Sequence, residues 1–375
     1  MTRAPARSAE SDALHERALA FVRAFESGQG APEPFNALGC DLARFQASSV
    51  DGYARLCHAR GVDPGSLRDA HAAPAVPTEA FKLARVAAFP PDEARATFRT
   101  SGTTIGARGT HEMRRPETYD AAALAFGRWA LMAGLPAKAT VLVLGASPKE
   151  APDSSLSRMT GQFAEQLGEL DADDAHFVRD GILDLASLDE HVARATIGGK
   201  SVLLLSTAFA LVHLLDALDG SIFRLPPGSR VMQTGGFKGR AREVDGATLR
   251  REVAQAFAID ENAVVGEYGM TELSSQFYEA TLRGGEPNVY VEPPWARVVP
   301  VDPETLDPVK DGEIGIARIE DLMNVDSAAF VLAADRVRRT PRGFELLGRA
   351  PGAPPRGCSI ALDELLGADA SHSRS

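Results

Sequence analysis

Val264-Val265-Gly266-Glu267-Tyr268-Gly269-Met270-Thr271-Glu272 is the stretch on which the fold turns: a short apolar run, then an aromatic ring, a glycine, a hydroxyl and a carboxylate delivered at its end. Three more apolar runs, Val141–Leu144, Val202–Leu205 and Arg230–Gln233, likewise follow helical patterns. Buried strands alternating with amphipathic helices predict a layered α/β fold with a mostly parallel sheet. Upstream, Leu14, Ala18, Phe21, Val22 and Phe25 recur at about 3.6 residues and predict a helix ended by Gly28 and Gly30. A second helical stretch is expected over Phe35–Ala59. Pro74 and Pro77 then leave Val76-Pro77-Thr78-Glu79-Ala80-Phe81-Lys82 as an ordered turn or short helix. Beyond Asn288 the texture becomes Pro-rich and β-like, with Ile314–Ile319, Phe330–Ala333 and Phe344–Leu346 as strands of a smaller β subdomain. The expected division is a helical region over 1–95, an α/β nucleotide-binding core over 96–287, a β subdomain with a hinge-like end over 288–366, and a frayed tail over 367–375.

The 375 residues carry 44% apolar and 24% charged side chains, a globular composition with enough material for a large core. The net charge of −11 argues against a nucleic-acid or anionic-lipid partner, both of which need a positive surface. The apolar stretches fall short of a membrane span, and the N-terminus has no apolar signal region, so a cytoplasmic location is expected. Cys40, Cys57 and Cys358 are odd in number and widely spaced, which fits neither a disulfide framework nor a structural zinc site.

Two segments carry the chemistry. Arg99-Thr100-Ser101-Gly102-Thr103-Thr104-Ile105-Gly106-Ala107-Arg108-Gly109-Thr110 crowds hydroxyls and glycines between two cations, so backbone N–H groups, hydroxyls and a guanidinium can converge on a polyphosphate. A solvated turn has the same composition, and the lysine spacing of a Walker loop is missing. The Gly266–Glu272 segment offers Tyr268 to stack a base, Gly269 for close approach, Thr271 for a phosphate and Glu272 for Mg²⁺; read blandly, Tyr268 packs and Glu272 begins a helix. For both to serve one nucleotide, they must meet in space.

In this order the segments resemble the adenylate-forming superfamily, whose loop reads roughly Thr-Ser-Gly-Thr-Thr-Gly-x-x-Lys-Gly and whose later segment reads Tyr-Gly-x-Thr-Glu. The second pattern is complete here; in the loop Ile105 replaces a glycine and Arg108 a lysine. The resemblance implies ATP as cofactor with Mg²⁺ on Glu272, phosphates under Ser101, Gly102, Thr103, Thr104 and Arg108, and adenine against Tyr268, Gly269 and the Gly235-Gly236 edge. It places the ribose on Asp335, and Thr271 with Arg349 on phosphate oxygens. The substrate carboxylate is then the nucleophile and needs no protein base.

The segment Val76–Lys82 and the ending Arg349-Ala350-Pro351-Gly352-Ala353-Pro354-Pro355-Arg356-Gly357-Cys358-Ser359 look like the LuxE-type acyl-protein synthetases. That likeness implies a fatty acid adenylated and then moved onto Cys358, a partner acyl reductase, and a truncated or absent mobile C-terminal domain. Bacterial luminescence is the family's known setting. Arg349 and Arg356 are expected to lower the Cys358 thiol pKa, whereas the bland fate of such a cysteine is burial. Of two histidines that could touch substrate, His213 is expected over His111, and Val202–Leu215 could line an acyl channel or simply be core. Rival readings are a coenzyme A ligase resembling phenylacetate-activating enzymes and a degenerate adenylation domain that only binds nucleotide or a partner.

Overall fold

The computed structural model describes residues 3–100, 108–235, 245–350 and 355–367. The chain forms two compact units that are discontinuous in sequence: residues 1–125, 270–275 and 292–375 in one, 126–269 and 276–291 in the other. These differ from the contiguous segments expected with boundaries at 95, 287 and 366. The reason is that residues 270–275 take their tertiary partners from distant parts of the first unit.

In the second unit, Thr140–Leu144, Val202–Thr207, Arg230–Thr234 and Val264–Tyr268 lie side by side in that order, all parallel. These are the four runs read as buried strands, because a strand covered by helices on both faces shows no alternation. Parallel neighbours require crossovers, which are supplied by the helices Ser155–Leu167, Leu185–Ile197, Ala208–Leu218 and Gly246–Phe257. Each helix opens on a capping side chain: Ser154, Asp184, Thr207 and Asp245 accept from the N–H of Ser157, Ser187, Ala210 and Thr248. Such caps contribute ~1 kcal/mol each. Leu204, Leu211, Val212 and Leu214 sit in the packed core with Val231, Val253 and Phe257, so the Val202–Leu215 region is core. Phe277–Glu279 and Val289–Val291 extend the sheet antiparallel.

The first unit begins with the helix Arg3–Glu26, after which Gly28 turns the chain at φ +67°. The expected second helical stretch is two helices, Phe35–Ser49 and Asp51–Ala59, broken where Val50 is extended (φ −116°, ψ 102°). Ala296–Val301, Ile314–Asp321, Phe330–Thr340 and Gly343–Arg349 form an antiparallel sheet in chain order. One edge of Phe330–Thr340 is shared: Gly343–Arg349 covers its far half, and Val76–Pro77 pairs parallel with Val331–Leu332. Ala96–Arg99 and Thr110–Met113 make a hairpin, closed where Thr100 N–H donates to Gly109 O at 2.9 Å. Of the hydroxyl-rich segment between these strands in the sequence, Ser101, Gly102, Thr103, Thr104 and Ile105 lie outside the described residues, as does Gly236.

A helix not expected from the sequence, Arg356–Leu366, ends this unit. It packs on the helices Asp51–Ala59 and Ala80–Leu83 and on Val76–Pro77. No described helix is long and apolar enough to cross a membrane.

Candidate functional site

Residues 270–275 are held as a turn, closed by Leu273 N–H to Met270 O at 3.1 Å. Asp321 accepts from the N–H groups of Ser274 (2.8 Å) and Met323 (3.0 Å) and from the Ser275 hydroxyl (2.6 Å). Asn324 Nδ2 donates to the carbonyls of Glu272 and Ala328, both at 2.9 Å, while its Oδ1 accepts from Ser274 Oγ. Both side chains are buried, so a closed polar network fixes the turn. From the hairpin's exit strand, His111 Nδ1 lies 2.7 Å from Thr271 O. A carbonyl can only accept, so the proton is on Nδ1; burial lowers the imidazole to about 4 and keeps it neutral. The hairpin's exit strand and the Thr271-Glu272 turn therefore meet here.

His111, rather than His213, is the histidine built into this place. His213 is exposed and rests edge-on against Phe209, with ring centroids 4.4 Å apart.

Glu272 is 6% exposed. Burial raises its carboxyl to about 7; Glu79 adds to the rise, while its own N–H, Lys82 and Arg349 oppose it. One buried carboxylate faced by two cations is a modest donor set, and no cluster of three metal-ligating side chains occurs among the described residues. It suits a divalent ion that brings phosphate oxygens and water as its other ligands. Arg349 stands opposite Asp335 on the neighbouring strand, Nε 3.7 Å from Oδ1, and its charge also reaches Glu272. Arg108, exposed at the hairpin tip, turns its guanidinium back onto the carbonyls of Thr100 (2.7 Å) and Arg99 (3.2 Å).

Cys358 is the third residue of the last helix and is 2% exposed. Burial, with Glu79 as a second cause, pushes its thiol up to about 12, the reverse of the lowering expected from Arg349 and Arg356. Desolvation of a thiolate outweighs cations whose own charges face water. Cys40 and Cys57 are buried in helices.

In the second unit, Gly235 ends its strand at φ +71°, in the left-handed region glycine favours. On the adjacent strand Tyr268 is buried beside Phe277 and Tyr290, ring centroids 5.9 and 6.3 Å away. Glu267, to which the sequence assigned no role, accepts from the Thr234 hydroxyl and is raised to about 7 by burial. Gly269 is required by that carboxylate, since a Cβ there would lie 2.6 Å from Glu267 Oε1.

Residues 35–367 match the family described as acyl-protein synthetase, LuxE. The chain belongs to that LuxE family. A long-chain-fatty-acid–luciferin-component ligase of Aliivibrio fischeri is 24% identical over 197 residues, 49% of this chain and 51% of that protein, so the match spans about half the relative's length. Two crystal structures of 2-hydroxyisobutyryl-CoA ligase, both in complex with 2-HIB-AMP and CoA, share the fold. One is in the thioesterification state (TM-score 0.60, 15% identity, 89% of this chain and 67% of that chain). The other is open (TM-score 0.59, 13% identity, 85% and 75%). This LuxE chain thus has the mixed α/β fold of adenylate-forming ligases, with helices about a mostly parallel sheet.

Proposed function

We propose that the chain is an ATP-dependent acid ligase that converts a carboxylic acid, of the fatty class, into an acyl-adenylate and passes the acyl group to Cys358 for a partner reductase. The observation that carries this reading is that Arg349, paired with Asp335, acts on Glu272 in a turn that the hairpin holds through His111. A buried carboxylate facing cations, one of which pairs with a second acid able to accept from ribose hydroxyls, is what a magnesium nucleotide needs. Family membership and the fold point the same way.

In this reading Asp335 holds the ribose hydroxyls, and Thr271, Arg108, Arg349 and the Ser101–Thr104 hydroxyl and amide groups hold phosphate oxygens. Tyr268, Gly269, Gly235 and Gly236 border the adenine. Glu272 would hold Mg²⁺, which would supply charge neutralisation. The substrate carboxylate attacks the α-phosphorus, forming the mixed anhydride as pyrophosphate departs. The Cys358 thiol then gives a thioester and releases AMP.

ATP–pyrophosphate exchange with tetradecanoic acid tests the first step: exchange is expected in wild type and in Cys358→Ser, with radiolabelled acid bound covalently only in wild type. Exchange should fall as pH drops below about 7, where Glu272 takes up its proton, and added Mg²⁺ should move that limb to lower pH. No exchange with any acid removes the proposal.

The burial of Cys358 favours a second reading, in which a thiol from solution such as coenzyme A is the acceptor. Acyl-CoA formed by Cys358→Ser at the wild-type rate selects it.

A further inference from the structure

We propose that Lys82, a residue to which the reading above gives no role, binds the β,γ-phosphates of the nucleotide; the inference rests on that ATP reading. Its backbone is held from two directions. The preceding segment is stitched into the sheet by Val76–Pro77, and Thr78 N–H continues the pairing to Leu332 O at 3.1 Å. Phe81, buried, meets the His111 ring edge-on at 5.7 Å, which seats the short helix Ala80–Leu83 against the hairpin's exit strand.

The side chain has a defined course from that base. Lys82 Cγ lies 3.5 Å from where a Cβ on Gly109 would stand, so its stem runs against the residue that closes the phosphate-loop hairpin. Thr100 flanks the same point, its Cγ2 3.0 Å from that Cβ position. Lys82 is exposed and makes no ion pair among the described residues. Arg349 is tied to Asp335 and Arg108 to the carbonyls of Arg99 and Thr100, whereas Lys82 has no such engagement among the described residues. Its field reaches Glu272, the carboxylate assigned to the ion that phosphates carry. A compact ammonium on a flexible stem meets phosphate as a point charge and needs no fixed fork geometry.

The full-length chain is titrated calorimetrically with MgATP and with AMP, and pyrophosphate exchange is measured with tetradecanoic acid. Lys82→Met keeps the stem and is expected to weaken MgATP by about tenfold or more while changing AMP by less than about threefold. Lys82→Arg should stay within about threefold of wild type for both ligands. Lys310→Met, an exposed lysine elsewhere in the same unit, should change neither. Unaltered MgATP affinity in Lys82→Met overturns the proposal, as does equal loss of ATP and AMP together with a lowered melting temperature. Selective loss of ATP affinity in a protein that performs no exchange keeps Lys82 as a phosphate ligand and fails the ligase reading. A wild type that does not bind ATP sinks both.

Discussion

Gly269 shows how one missing atom can be a requirement. A Cβ there would meet the Glu267 carboxylate at 2.6 Å, and that carboxylate cannot swing clear because it is buried and bonded by Thr234. Gly269→Ala is therefore expected to cost ~1–3 kcal/mol, read as a lowered urea midpoint. Glu267→Ala in the same chain should recover part of it; an unchanged midpoint in Gly269→Ala removes the crowding argument. At this scale the sequence was informative where a motif is local. Tyr268, Gly269, Thr271 and Glu272 stand together in the chain and could be read there as one motif. Glu79, Lys82 and His111 were not, because what matters in them is a neighbour far away in the sequence. A lone histidine on a short strand carries no mark that its Nδ1 meets Thr271.

The last helix shows what burial means for an element that carries a nucleophile. Gly357 N–H donates to Pro303 O (2.8 Å), Arg55 Nε donates to Leu365 O (2.9 Å), and Arg60 pairs with Glu364 at 2.6 Å. Cys358 is shielded by the helix's own attachments, so its reactivity depends on how often they open. Arg60→Ala removes a partly exposed ion pair worth ~0.5–1 kcal/mol and should speed iodoacetamide alkylation of Cys358 by roughly twofold to fivefold. Glu79→Gln should matter less, because burial is the larger cause of the raised thiol pKa. Rates unchanged in Arg60→Ala would show that the helix does not gate the thiol. Sequence missed this helix because Pro351, Pro354, Pro355 and Gly357 crowd its start and read as loop. The central strands were easy for the opposite reason: both faces are covered, and Leu203, Leu204 and Leu205 run on without alternation.

Across the molecule, buried acids set how stability follows pH. Glu267 titrates at about 7 when folded, against an ordinary value of 4.5. The unfolded chain gives up its proton first, so stability falls as pH rises from about 4.5 to 7 and then levels. Glu267→Gln should thus raise the melting temperature at pH 8, by an amount reflecting ~3 kcal/mol at most, and leave it nearly unchanged at pH 4. Equal shifts at both pH values would contradict the linkage. The division into units was the least legible feature. Residues 270–275 belong with Asp321 and Asn324, about fifty positions onward, and no composition change marks that attachment.

The two-residue splice of Val76–Pro77 onto Val331–Leu332 has a mechanical outcome. Glu79 and Lys82 on one side, and Asp335 three residues beyond Leu332 on the other, ride on a common rail of main chain. Their spacing is fixed by peptide geometry and not by side-chain reach. An incoming ligand would find those charges already set apart, with the entropy of arranging them lost once, during folding, and not again at every turnover.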